Sequence, residues 1–144
     1  MIREAERQDC ERLSQLYKML VPTSTRRLVL EDRIEEMKND PRNFLFVYEE
    51  EGQIQGTVSL SICMEALHGM MSFGVIENIV VDEAKRGNLI GQRLIQHAEQ
   101  YCRSIHCSKM MLLSNSKREQ AHKFFEREGY SGSISKGFKK YLYD

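Results

Sequence analysis

The chain has 144 residues, with 21 basic and 21 acidic side chains and a formal net charge of zero. That length suits a single domain spanning 1–144 with a real core, and the charge balance offers no bulk attraction to nucleic acid or to an anionic membrane. The apolar runs are short and interrupted, so no membrane span is expected. The opening residues, Met-Ile-Arg-Glu-Ala-Glu-Arg, lack the apolar stretch of a signal peptide, so a cytoplasmic setting is expected. Cys10, Cys63, Cys102 and Cys107 form no Cys-x-x-Cys pair, and the four histidines show no ligand spacing. Reduced thiols and no metal site follow.

In chain order, Ile2–Ala5 predicts a short strand. Leu13, Leu16, Tyr17 and Leu20 recur at helical spacing, and Pro22 ends that helix. A loop rich in Thr, Ser and Arg leads to a second helix marked by Leu30, Ile34 and Met37, which stops before Pro41. Phe44–Tyr48 predicts a strand, Glu51-Gly52-Gln53 a turn, and Thr57–Ile62 an alternating strand with one buried face. After a loop at 64–72, Phe73–Val81 predicts a central strand whose Ile79-Val80-Val81 run suits burial on both sides. Ile90, Leu94, Ala98, Tyr101 and Cys102 line one face of a long helix. Met110–Leu113 is a further apolar strand, reached by a right-handed parallel crossover. Glu119–Glu128 predicts the last helix, capped by Gly129, and Tyr130–Ile134 with Phe138–Leu142 predicts a closing hairpin. This order gives a mixed α/β (α+β) class with three layers.

The junction at 73–93 carries the chemistry. A strand bearing one buried-looking acid, Glu77, runs into a loop with Arg86, Gly87 and Gly91 and then into a helix. Backbone N–H groups at a helix N-terminus beside glycines suit a phosphate. Neither a P-loop nor a Rossmann fingerprint fits, since both GxxxxGK and GxGxxG are absent. A nucleotide-binding function is weakly supported, because no lysine or Mg²⁺ ligand accompanies the loop.

What remains, Arg86-Gly87-Asn88-Leu89-Ile90-Gly91, resembles the pyrophosphate loop of the GNAT superfamily of acyl-CoA-dependent N-acyltransferases, whose usual form is (Arg/Gln)-x-x-Gly-x-Gly/Ala. Arg86, Ile90 and Gly91 match, while Leu89 stands where the middle glycine usually lies. Residues 115–130 are similar to the family's later signature, with Asn115, Ala121, Phe124, Glu126 and Gly129 matching and Tyr130 replacing a phenylalanine. Phe125 stands where many members have tyrosine.

The resemblance implies a GNAT-like fold, with a mixed, mostly antiparallel sheet that splays between two parallel strands and helices flanking it. It implies acetyl-CoA as co-substrate and a primary amine of a small molecule or protein as acceptor. The pantetheine arm would pair with backbone at Ile79, Val80 and Val81. The pyrophosphate would lie on the amides of Gly87, Asn88, Leu89, Ile90, Gly91 and Gln92 beside Arg86. Asn115 and Phe124 would flank the arm, although a strand-end turn and ordinary core packing are the alternatives for them. Glu77 would be the general base, its pKa raised by partial desolvation, or else a glutamate in an ordinary structural bond. Tyr130 is the remaining candidate acid, with water or His122 as alternatives, and packing is its other reading. Arg26, Arg27, Glu31, Glu65 and Phe138 are candidate acceptor walls. Direct attack in a ternary complex fits, because no activated nucleophile is evident. Leu89 and Phe125 keep open the alternative of a non-catalytic acyl-CoA-binding regulatory module. A homodimer is the default expectation for assembly.

Overall fold

The computed structural model describes residues 1–25 and 28–143. Its elements are β1 (Ile2–Glu4), α1 (Cys10–Leu20), α2 (Glu31–Lys38), β2 (Asn43–Glu50), β3 (Gln53–Met64), β4 (Ser72–Val81), α3 (Ile90–Ser104), β5 (Met110–Leu112) and α4 (Glu119–Arg127), with 3-10 turns at Arg7–Asp9 and Glu83–Lys85. Two compact units result, Met1–Met111 and Leu112–Asp144.

The strands form one sheet in the order β1-β2-β3-β4-β5, and β1 through β4 pair antiparallel. The last pair differs. Ser108 N–H donates to Ser72 C=O at 2.8 Å and Gly74 N–H donates to Lys109 C=O at 3.0 Å, so the two chains advance together and the pairing is parallel. Helix α3 makes the crossover, as the sequence predicts. A strand of three residues cannot pair one of ten along its length, so β5 matches only part of the β4 edge.

Strand alternation divides the first unit into layers. Leu45 and Val47 join Ala5, Leu13, Leu16, Ile34, Ile54 and Val80 in the core under α1 and α2. Phe44 and Phe46 point the other way, toward α3. There Phe44 meets Tyr101 and Phe46 meets His97, each with ring centroids 4.6 Å apart. Burial lowers the His97 pKa, which suits a packed imidazole. Two glycines let α3 lie close to the sheet. A Cβ on Gly56 would come within 3.1 Å of both Ile90 Cγ2 and Leu94 Cδ1, and one on Gly74 within 2.7 Å of Cys102 Sγ. No helix among the described residues is long and apolar enough to cross a membrane.

Two expectations fail. The closing hairpin does not form: residues 131–143 contain neither helix nor strand, and Ile134, Phe138 and Leu142 are exposed. The segment is broken by Gly132, Gly137 and several serines and lysines, and a lone two-stranded hairpin without a face to bury is marginal. The Ile79-Val80-Val81 run is not buried on both sides either. Val80 is buried, while Ile79 and Val81 are half-buried.

Candidate functional site

Strand β4 carries a bulge beside the candidate base, Glu77. Thr57 pairs with Val80 and Ser59 with Glu77, so Val58 alone faces both Asn78 and Ile79. Asn78 takes φ +52°, a left-handed conformation tolerated best by Gly and Asn. An extra residue of this kind re-aims the neighbouring side chains. Glu77 and Asn78 are both exposed. The partly desolvated Glu77 expected from its apolar neighbours is therefore corrected. Ile76 and Val80 turn into the two cores, and Glu77 lies on the sheet face opposite α3, where solvent reaches it.

Beyond the bulge the chain is tied down before it enters the loop. Asp82 N–H donates to Gln55 C=O at 2.8 Å. The Asp82 carboxylate caps the 3-10 turn by accepting from Ala84 N–H at 2.9 Å and pairs with the guanidinium of Arg12 on α1. Arg12 Nε also donates to Ile54 C=O at 2.8 Å. The Arg12 hydrogen bond, followed by the Ala84 amide, holds the Asp82 carboxyl below its ordinary pKa. Sequence reasoning missed this link. The capping role was legible in Asp82-Glu83-Ala84, but a partner 70 residues away leaves no local signal.

The loop then opens toward solvent. Arg86, Gly87, Asn88 and Leu89 are exposed. Asn88 Nδ2 donates to Lys85 C=O at 3.0 Å and fixes the turn. Gly87 has φ +88°, and no atom lies within 4 Å of where a Cβ would stand. Leu89 is the N-cap of α3 at φ +63°, ψ +16°, a left-handed geometry that glycine takes more readily and that costs a residue with a Cβ roughly 1–2 kcal/mol. The first helical bond runs from Arg93 N–H to Leu89 C=O at 3.0 Å. The amides of Ile90 and Gly91 precede it, at the positive end of a 15-residue helix, so they suit an anion. Gly91 is half-buried and Ile90 is buried, its side chain anchoring the helix start over Gly56. Gln92 is half-buried in the same turn. An open, amide-lined rim of this kind fits a pyrophosphate.

In the second unit, Asn115 is an exposed turn former. Its Oδ1 accepts from Lys117 N–H at 2.9 Å, and its carbonyl accepts from Arg118 N–H at 3.0 Å and contacts His122 Nε2 at 2.8 Å. Helix α4 ends in a Schellman motif: Gly129 N–H donates to Glu126 C=O and Tyr130 N–H to Phe125 C=O, each at 3.0 Å, with Gly129 at φ +97°. The hydrophobic contact that accompanies this motif is Tyr130 edge-on to Phe125, centroids 6.4 Å apart. Tyr130 thus has a packing role. Phe125 is buried and Phe124 half-buried, their rings 5.3 Å apart.

Of the candidate acceptor walls, Arg26 and Arg27 lie outside the described residues. Glu31 lies in the first turn of α2, exposed and 4.0 Å from Arg7. Glu65 pairs with His68 at 2.7 Å, and Phe138 is exposed. The four cysteines are free. Burial, reinforced by neighbouring Cys107, pushes the Cys102 thiol up to about 12, which removes it as a nucleophile. The described residues hold no cluster of ligands for a metal ion.

Comparison with known proteins agrees with this layout. An aminoalkylphosphonate N-acetyltransferase of Salmonella typhimurium is 37% identical over 82 residues, 57% of this chain and 53% of that protein, so the match spans about half the length of that curated relative. A putative acetyltransferase from Agrobacterium tumefaciens superposes with a TM-score of 0.87 at 28% identity, covering 98% of this chain and 99% of its own. The crystal structure of glucosamine-6-phosphate N-acetyltransferase from Arabidopsis thaliana gives a TM-score of 0.82 at 29% identity, covering 99% and 97%. The family model for the acetyltransferase (GNAT) family matches residues 2–130, and the chain belongs to that family.

Proposed function

We propose that this chain moves an acetyl group from acetyl-CoA to a primary amine by direct attack within a ternary complex. The observation that carries the proposal is the rim at 86–91, where exposed backbone and the start of α3 meet the end of a bulged strand. Gly87, Asn88, Leu89, Ile90, Gly91 and Gln92 would hold the pyrophosphate through backbone N–H groups, with Arg86 adding positive charge. Ile79, Val80 and Val81 would offer backbone to the pantetheine arm along the part of β4 that three-residue β5 cannot pair. Asn115 and Phe124 remain proposed contacts of acetyl-CoA. Bound acetyl-CoA supplies an activated thioester.

Glu77 would take the proton from the attacking ammonium, directly or through water. Its exposure makes a water relay the natural route, and its position beside the bulge, opposite Ser59, replaces desolvation as the ground for this role. The relatives named above act, by their names, on an aminoalkylphosphonate and on glucosamine 6-phosphate. Both are primary amines on small anionic molecules, and we extend that acceptor class to this chain. A cytoplasmic homodimer completes the proposal.

One observation favours the alternative, an acyl-CoA-binding module without turnover. Phe125 is buried in the helix cap and has no proton to give. Thiol release from acetyl-CoA separates the two. The amines to test are 2-aminoethylphosphonate, glucosamine 6-phosphate, their uncharged counterparts ethylamine and glucosamine, a polyamine and a lysine peptide. Turnover of any of them supports the enzyme. Calorimetric binding of acetyl-CoA without turnover of any amine supports the module. In an active enzyme, Glu77→Gln is expected to lower turnover about 10²-fold while leaving acetyl-CoA affinity unchanged. Wild-type turnover in that variant across the pH range would make Glu77 structural.

A further inference from the structure

The sheet face that carries Glu77 has two charged ends. Phe73, Val75 and Glu77 alternate along β4, so their side chains share one face, while Gly74 and Ile76 turn to α3. Across the ladder, Ser59 lies opposite Glu77, Ser61 opposite Val75 and Cys63 opposite Phe73. Ser61 Oγ donates to Asn43 Oδ1 at 3.0 Å. Tyr17 of α1 brings its hydroxyl to Ser59 and Thr57, with burial pushing its pKa up and those two hydrogen bonds opposing the shift. Ser59, Ser61, Asn43 and Val75 are each only half-buried. A strip of polar side chains thus runs along this face of the sheet, none of these four residues fully shut off from solvent.

At the far end of this strip stands a cation. Lys109 is exposed, and its Nζ lies 5.0 Å from the centroid of the Phe73 ring, on the face that Phe73 shares with Glu77. Four residue steps of strand separate Phe73 from Glu77, roughly 13 Å at strand rise, a gap that two long side chains shorten. The direction matters as well. The pyrophosphate rim follows the C-terminal end of β4, so an acyl group delivered to Glu77 comes from that side. The N-terminal half of β4, with Phe73 and Lys109, is left for the acceptor.

We propose that Lys109 is a specificity residue, and that the acceptor is a small primary amine with an anionic far end. Its ammonium is placed at Glu77, its body along the serine strip and its anion at Lys109. The Phe73 ring holds the lysine head in place through a cation–π contact. This inference rests on the acetyltransfer proposed above, with Lys109 binding and orienting the acceptor and taking no part in the proton transfer.

The test is a comparison of matched amines: glucosamine 6-phosphate against glucosamine, and 2-aminoethylphosphonate against ethylamine. The wild type is expected to turn over the anionic member of at least one pair with at least tenfold higher kcat/KM. Lys109→Met is expected to raise KM for that anionic amine tenfold or more, leaving kcat, the acetyl-CoA KM and the rate with its uncharged partner unchanged. Lys109→Arg should restore most of the preference and Lys109→Glu should reverse it. A purely structural Lys109 would move both members of the pair together. Transfer with no preference for the anionic amines, or an equal loss for both members in Lys109→Met, overturns the inference while the acetyltransferase stands. If acetyl-CoA binds but no amine is turned over, both proposals fall.

Discussion

Gly56 offers a direct test of how the fold positions the proposed cofactor rim. Its φ lies outside the left-handed region, so alanine meets no dihedral penalty there, and the only difficulty is space. The added Cβ would stand 3.1 Å from Ile90 Cγ2, 3.1 Å from Leu94 Cδ1 and 3.2 Å from the Val80 carbonyl oxygen. The carbonyl belongs to the paired strand beside the bulge and cannot swing away. The side chains that must give belong to the first turns of α3, so the helix start is expected to lift by a few tenths of an ångström. Overpacking of this kind costs about 1–3 kcal/mol, which is roughly 2–4 °C in Tm per kcal/mol for a chain near this size. If about 1 kcal/mol of the strain appears as displaced rim amides, acetyl-CoA affinity falls roughly fivefold. Gly74→Ala is the control. Its Cβ would press on Cys102 Sγ at 2.7 Å, near the C-terminal end of the same helix and far from the rim. Urea denaturation should show both variants destabilised, and calorimetric titration should show only Gly56→Ala losing affinity for acetyl-CoA. Equal affinity losses in the two variants, or a destabilised Gly56→Ala with wild-type binding, would refute the argument that helix seating sets the rim.

The Asp82–Arg12 link predicts a dependence on acid. The folded carboxyl titrates below its ordinary pKa, so its contribution to stability is present above that value and is lost as the pH falls through the depressed folded one. Asp82→Asn should therefore flatten the acid limb of the urea midpoint between pH 7 and pH 3, and an unchanged limb would show that the pair contributes nothing. Tyr130→Phe removes the only hydroxyl proposed as an acid but keeps the ring on Phe125, so turnover should change less than about twofold where loss of a true general acid costs 10²-fold or more. A loss of that larger size, measured with acetyl-CoA binding intact, would put the acid at Tyr130 after all.

Much of the fold was legible because periodicity and turn chemistry are local. Leu13 and Leu16 on α1, Ile34 on α2 and the Ile90–Leu94–Ala98 face of α3 all end buried, since a helix with one apolar stripe has only one way to hide it. The C-terminal segment misled for the complementary reason. Ile134, Phe138 and Leu142 have strand-like residue types, but residue type reports a preference for a pleated, half-buried surface and cannot supply that surface. Nothing in the sequence states whether a neighbouring strand lies within reach, and here the side chains stay exposed.

The site was legible to the extent that it is made of backbone. Arg86-Gly87 and Gly91 ahead of an amphipathic run mark a place where amides face outward, and Leu89, standing where the resembled motif has glycine, takes a glycine-like left-handed angle. Side-chain environment is another matter. Alternation from Gly74 and Ile76 already puts Glu77 on the opposite face, and its apolar neighbours do not say whether that face is covered; what the sequence hides is one inserted residue just after it, which changes the phase of everything that follows. The bulge at Asn78 is that residue, and only the pairing of Ser59 with Glu77 and of Thr57 with Val80 reveals it. The same bulge lets Val80 rejoin the core under α1 and α2 while Glu77 remains at the surface. If Glu77 is the base, as proposed, its place on the solvent side of the strand lets it exchange protons with water between turnovers without the opening of a cavity. Placement of an ammonium against Glu77 then rests on how the acceptor is held, which is the part proposed for the polar strip and Lys109.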